Sequence, residues 1–169
     1  EGTYPLPEAQ MDRFLMHVTI DYPDNDSELS IMRLNRAEQS HKKSKEEAKL
    51  SPQLIFDARD EIAKVKIPEA MEKYIVDIIA ATRYPEKYSD DLDRWLDFGA
   101  SPRGTIAIDR SARVHAWMEG KDFVAPDHIR AVVADCLRHR LILSYEANAE
   151  GITADKIIDL ILREVAVIG

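Results

Sequence analysis

The chain has 169 residues, enough for one core or one domain with an appendage, and its 45% hydrophobic and 32% charged content is that of a soluble globular protein. A net charge of -8 argues against a nucleic-acid partner, because affinity for a phosphate backbone comes from released counterions and needs excess Lys and Arg. No apolar run approaches the roughly 18 to 20 residues of a membrane span, and the lone Cys136 excludes an intrachain disulfide and favours a reducing, cytoplasmic setting.

The first residues, Glu1-Gly2-Thr3-Tyr4, carry neither Met nor a signal-peptide pattern, so the start reads as a cut. A helix-like turn at Pro7-Glu8-Ala9-Gln10 leads to Asp12-Arg13. From Phe14 the pattern alternates, with Phe14, Met16, Val18, Ile20 and Tyr22 on one side, which predicts a strand. Such a strand has no partner in its own chain. It either pairs by its edge with another copy or belongs to a sheet built from a preceding segment.

Pro23-Asp24 breaks the alternation, and Asn25 with Glu28 resembles a capping box opening a helix through about Ala37. Residues 38–50 are polar, without an apolar stripe, and read as a solvated linker or frayed helix end. Five helical stretches follow. Ser51-Pro52 caps the first, whose face holds Leu54, Ile55, Ala58, Ile62 and Val65. The second carries Met71, Tyr74, Ile75, Ile78, Ile79 and Thr82, and ends at Tyr84-Pro85. An acidic loop over 86–94 precedes the third, in which Trp95 and Phe98 suggest local packing or a partner.

The third helix starts at Ser101-Pro102, with Ile108, Ala112, His115 and Ala116 on one face and Ala107, Val114 and Met118 on a neighbouring one. A fourth begins at Pro126, with Ile129, Val132, Val133, Cys136, Leu137 and Leu141 inward. A fifth begins near Thr153, with Ile157, Ile158, Ile161, Leu162 and Val165 inward. The fold class is therefore mainly α, a helical bundle preceded by one β-strand.

Ser101 as N-cap and Pro102 at N1 set Arg103 in the first turn of a helix, beside unpaired N–H groups at the positive end of the helix dipole. An anion is welcome there, and a guanidinium adds a two-pronged match to phosphate oxygens. On its own terms Arg103 is equally a solvated residue at a helix start, and Asp12-Arg13 a surface ion pair. His115, His128 and His139 show no i, i+4 pairing and no Cys partners, so no metal site is expected. Arg138-His139-Arg140 either touches a ligand or neighbour, or projects into solvent. Gly120-Lys121 is followed by Asp122 and lacks a glycine five residues earlier, so it is not a phosphate loop, and no apolar strand ends in Asp-Glu.

Four stretches in order, from Glu1 to Phe14, Gly99 to Arg103, Gly120 to His128 and Leu137 to Ser144, make the chain similar to the C-terminal part of MoxR-family AAA+ ATPases. The resemblance implies that residues 1–22 are the tail of an AAA+ core, 23–50 a connecting helix and linker, and 51–169 a helical lid. It implies that Arg13 resembles an arginine finger reaching the nucleotide of a neighbouring subunit. It also implies that Arg103, seated by Ser101 and Pro102, resembles a sensor-2 arginine reaching the γ-phosphate of its own subunit. ATP and Mg2+ are then the cofactors of the full-length parent, and this chain, without a phosphate loop, is expected neither to hydrolyse ATP nor to bind it tightly.

The implied partners are other copies in a ring, client proteins for chaperone-like remodelling and proteins with von Willebrand factor A domains, with no nucleic acid and no membrane insertion. A standalone helical module that grips a partner helix is the competing expectation. Two positions depart from the family pattern: Gly104 where alanine is usual, which loosens the first helical turn, and Ala125 where a capping Ser or Thr is usual.

Overall fold

The computed structural model describes residues 4, 6–39 and 50–167. The chain divides into two compact units, one comprising Glu1–Val18 and Arg59–Gly169 and the other Thr19–Ala58. In the smaller unit, α2 (Asn25–Gln39) starts one residue after Asp24, whose carboxylate accepts the Ser27 N–H at 2.7 Å. Asp24, rather than Asn25, is thus the cap, and that hydrogen bond holds its carboxyl below the usual carboxylate range. Residues 40–49, most of the expected linker, lie outside the described residues. α3 (Gln53–Ile62) crosses the boundary between the units and starts with the Gln53 N–H donating to Ser51 Oγ at 3.2 Å. Of its expected inward face, Leu54 and Ile55 are exposed, Ala58 and Ile62 are half-buried, and Val65, just past its end, is buried.

The larger unit holds the core. It is built from α4 (Glu69–Arg83), α6 (Pro102–Met118), α7 (Pro126–Leu137) and α9 (Ala154–Glu164), with α6 against α7 as the principal packing. The α4 stripe expected from the sequence is buried in full, and so is that of α7 with Leu141. In α9 Ile157, Ile158, Ile161 and Val165 are buried and Leu162 is half-buried. α6 departs from expectation on one face. Val114 and Met118 point outward, Met118 being 74% exposed, because Ala107, Ile108, Ser111, Ala112 and Ala116 form the narrow stripe that meets α7. Small residues there let two backbones approach closely. α6 stops at Gly120 (φ +69°), where the N–H groups of Gly120 and Lys121 donate back to Trp117 and Ala116.

The expected acidic loop is a 3-10 turn at Pro85–Lys87 followed by α5 (Asp90–Trp95), capped by Ser89. Leu92 and Trp95 pack into the core, while Phe98 stays exposed. Two short strands follow from this, β1 (Leu96–Phe98) and β2 (Ile142–Leu143), paired antiparallel with an irregularity in the register. α8 (Tyr145–Ala149) completes the unit, capped by Ser144. The strand expected over 14–22 does not form. After α1 (Glu8–Met11) the chain runs without regular structure to Asp24, because side chains of the larger unit, rather than a neighbouring strand, take up carbonyls of its first part. Among the described residues, no helix is long and apolar enough to cross a membrane.

The tightest approach in this unit is at Gly99. A Cβ built there lies 2.1 Å from the Thr82 carbonyl oxygen. Gly99→Ala is expected to lower stability by about 3 kcal/mol or more, since backbone has to move to relieve the overlap. Urea unfolding of the chain measures the loss.

Candidate functional site

The start of α6 is held from below by the end of α4. Thr82 donates its hydroxyl to the Ile79 carbonyl at 2.7 Å and accepts the Ala100 N–H at 3.0 Å, while Arg83 Nε donates to the Ala100 carbonyl at 2.8 Å. Ser101 then caps α6, accepting the Arg103 N–H at 3.1 Å, with Pro102 in the first turn. Gly104 is buried, and a Cβ there would crowd Ile79 and Leu137 at 3.1 and 3.2 Å. The glycine therefore admits close packing at the very turn that its low helix propensity would loosen. Arg103 leaves this seat with its side chain half exposed.

Opposite lies the arm that follows α1. Asp12 accepts the Ser101 hydroxyl at 2.9 Å and Arg140 Nε at 3.1 Å, and stands 3.9 Å from an Arg103 guanidinium nitrogen. Arg13, next along, is exposed, and no hydrogen bond of its side chain to another described residue is seen. Between arm and helix lies a cleft of about 290 Å3 lined by Arg13, Arg103, Arg110 and Arg140, by Asp12 and by the apolar Phe14, Leu15, Ile106 and Ala107. Arg13 and Arg103, distant in sequence, thus share one cleft. Ser101 and Pro102 shape its edge through the helix start.

Arg138-His139-Arg140 does not project into solvent: Arg138 and Arg140 hold the arm, and Arg140 also lines the cleft. Arg140 donates to the carbonyls of Asp12 (3.0 Å), Phe14 (2.5 Å), Leu15 (3.3 Å) and Cys136. Arg138 bonds the His17 carbonyl, Asp135 and Asp155, and the His17 N–H returns to the Asp135 carbonyl at 2.8 Å. His139 Nε2 lies 2.8 Å from Arg140 Nη1, which donates to it, so the ring is neutral. Burial first, and the Arg140 charge second, push its pKa below the ordinary value. Cys136 beneath is fully buried, which raises its thiol pKa and keeps it unreactive.

The fold gathers one further cluster, in which His115 and Glu119, four residues apart, meet His128 of α7. His115, Glu119 and His128 set ligand atoms within 4.8 Å of one another. The donor chemistry does not suit a metal. His128 Nδ1 accepts the Ala125 N–H at 2.9 Å, so the neutral ring carries its proton on Nε2, which points at Glu119 at 3.2 Å and has no lone pair to offer. This bond also supplies half of the cap that Ala125 cannot make with its own side chain.

Residues 93–161 match the family model described as the AAA lid domain. Chaperone MoxR1 of Mycobacterium tuberculosis is 37% identical over 168 residues, which cover 98% of this chain and 43% of that protein. Protein MoxR of Methylorubrum extorquens is 32% identical over 169 residues, covering 93% and 49%. A solved crystal structure of a protein from Cytophaga hutchinsonii aligns over the whole chain and 51% of its own, at 41% identity and a TM-score of 0.91. The chain belongs to the MoxR family of AAA+ proteins. It spans about half the length of these MoxR-family relatives, and its α6 start and the Arg138–Arg140 clasp both lie within the matched lid.

Arg110 is the cleft arginine that the sequence did not single out. It stands seven residues after Arg103 on the same face of α6, a spacing that would have revealed it. The pairing of Arg140 with Asp12 joins positions 128 apart and leaves no local signal.

The neutral His139 sets a pH dependence. Unfolded, it takes up a proton near pH 6.5, whereas folded it does so only at lower pH. In that window the unfolded state binds more protons, so this residue's contribution to stability is lost as pH falls. His139→Gln is expected to shrink the drop in urea midpoint between pH 7.5 and pH 5.

Proposed function

We propose that the cleft receives the terminal phosphates of a nucleotide, with Arg103 reading the γ-phosphate as a sensor-2-type residue and Arg13 acting beside it as an arginine finger. The observation that carries this is the convergence of both arginines on one cleft at the N-terminus of α6. Phosphoryl transfer spreads charge over the γ-oxygens, and guanidinium groups held beforehand stabilise it without reorganisation. The shared cleft favours one nucleotide for both residues over a division between two subunits. ATP is the ligand this reading supplies, and Mg2+ would be bound elsewhere, since the cleft's carboxylate, Asp12, is occupied by Ser101 and Arg140.

On this reading residues 1–22 end the nucleotide-binding core, 51–169 form the lid, and 23–50 connect them. Closure of the lid on ATP converts hydrolysis into motion, which fits chaperone-like remodelling of client proteins by a ring of copies. Partners with von Willebrand factor A domains and a cytoplasmic setting belong to the same proposal. A module gripping a partner helix is the second reading, favoured by an apolar groove of about 270 Å3 at Leu15, Met16, Val114, Met118 and Val132.

In the protein that includes the nucleotide-binding core, Arg103→Ala and Arg13→Ala are each expected to slow ATP hydrolysis by roughly 10²-fold or more with unchanged circular dichroism. Steady-state turnover measures this; rates equal to the parent's in both variants would overturn the reading and leave the helix-binding module.

A further inference from the structure

The cleft contains an imbalance of charge that the phosphate reading does not use. Asp12 faces two guanidinium groups, and it holds them differently. Arg140, with a side chain only 2% exposed, binds it at 3.1 Å, while the half-exposed Arg103 stands at 3.9 Å, beyond hydrogen-bond reach. The remaining bonds of Arg140 go to carbonyl oxygens and to the neutral His139, which satisfy its N–H groups but cancel no charge. Asp12 is therefore the carboxylate that balances a buried cation, and it cannot leave at low cost. Its hold on Arg103 is an exposed ion pair of small worth.

We propose that Asp12 is the exchangeable counter-ion of the cleft: a positioning residue that holds Arg103 in waiting and gives it up to an arriving phosphate. Arg140 meanwhile keeps Asp12, and with it the arm that carries Arg13, in place. The proposal rests on the reading of the cleft as a phosphate site. Phosphate and Asp12 compete for Arg103, and they do not compete for Arg140. Ser101 reports the same division, since its hydroxyl donates to both oxygens of Asp12 at 2.9 Å while its oxygen caps the turn that bears Arg103. Removing the charge of Asp12 thus frees Arg103 and keeps an acceptor for Ser101 and Arg140, at a cost in stability from the unbalanced Arg140 charge, whereas removing Arg140 hands Asp12 to Arg103 and releases the arm.

Inorganic tripolyphosphate titrated into the chain, followed by the amide resonances of Arg103 and Gly104, tests this, with hydrogen exchange of the His17 amide as a separate readout of the arm. Asp12→Asn is expected to bind tripolyphosphate about three- to fivefold more tightly than the parent, the worth of an exposed ion pair. Arg140→Met is expected to bind it more weakly and to speed His17 exchange; should it fail to fold, Asp12→Asn carries the test alone. A structural tether alone would weaken binding in both variants, so an equal or lower affinity in Asp12→Asn overturns the proposal. If the parent and Arg103→Ala respond alike to tripolyphosphate, the phosphate reading falls, and this proposal with it.

Discussion

A buried guanidinium, that of Arg140, is the constraint on which the arrangement of the cleft depends. Removing such a charge from water costs several kcal/mol unless every N–H finds an acceptor and the charge finds a partner. The helix that ends at Leu137 supplies one carbonyl, that of Cys136. The His139 ring supplies a further acceptor, and the rest come from the arm, as the carboxylate of Asp12 and the carbonyls of Asp12, Phe14 and Leu15. An irregular segment is well suited to this task. In a strand its carbonyls would be committed to a neighbouring strand; here they converge on one cation. The same contacts fix Arg13 beside the mouth of the cleft.

The opposite wall depends on close approach rather than on charge. Gly99 passes against the Thr82 carbonyl where no side chain fits, and Gly104 lets the first turn of α6 settle among Ile79, Ala100 and Leu137. Thr82 and Arg83 then fasten the backbone of Ala100, so that Ser101 meets both the helix it caps and the carboxylate of Asp12. The position of Arg103 follows from the packing of α4, α6 and α7, and does not depend on the side chain's own interactions. An arginine whose base is fixed and whose head is held only by an exposed ion pair to Asp12 suits the reading of a ligand that comes and goes.

The helices were legible because their apolar residues recur at the spacing of a turn, and burial follows that spacing in α4, α7 and α9. α6 was read with too wide an inward face: the periodicity located the helix, and it gave no measure of how closely α7 would approach. The short elements α5, α8 and the β1–β2 pair carry too few residues for a period to show, and they form because Trp95 and Leu92 are drawn into a core that other helices have built. Alternation from Phe14 to Tyr22 suggested a strand, yet a strand needs a partner for its backbone, and the contacts available here were side chains.

The sequence by itself determined the principal helices, the cap and proline that start α6, the resemblance to MoxR-family AAA+ proteins and the absence of a phosphate loop. These are local properties, written in spacing along a few turns or in short motifs. Only the tertiary structure decided that Arg13 and Arg103 share a cleft, that Arg110 joins them, and that Asp12 stands between a buried and an exposed cation. Those facts join residues as many as 128 positions apart, and no local pattern encodes which carboxylate a buried arginine will find. The charge has to be balanced somewhere, and the packing of the helices determines where.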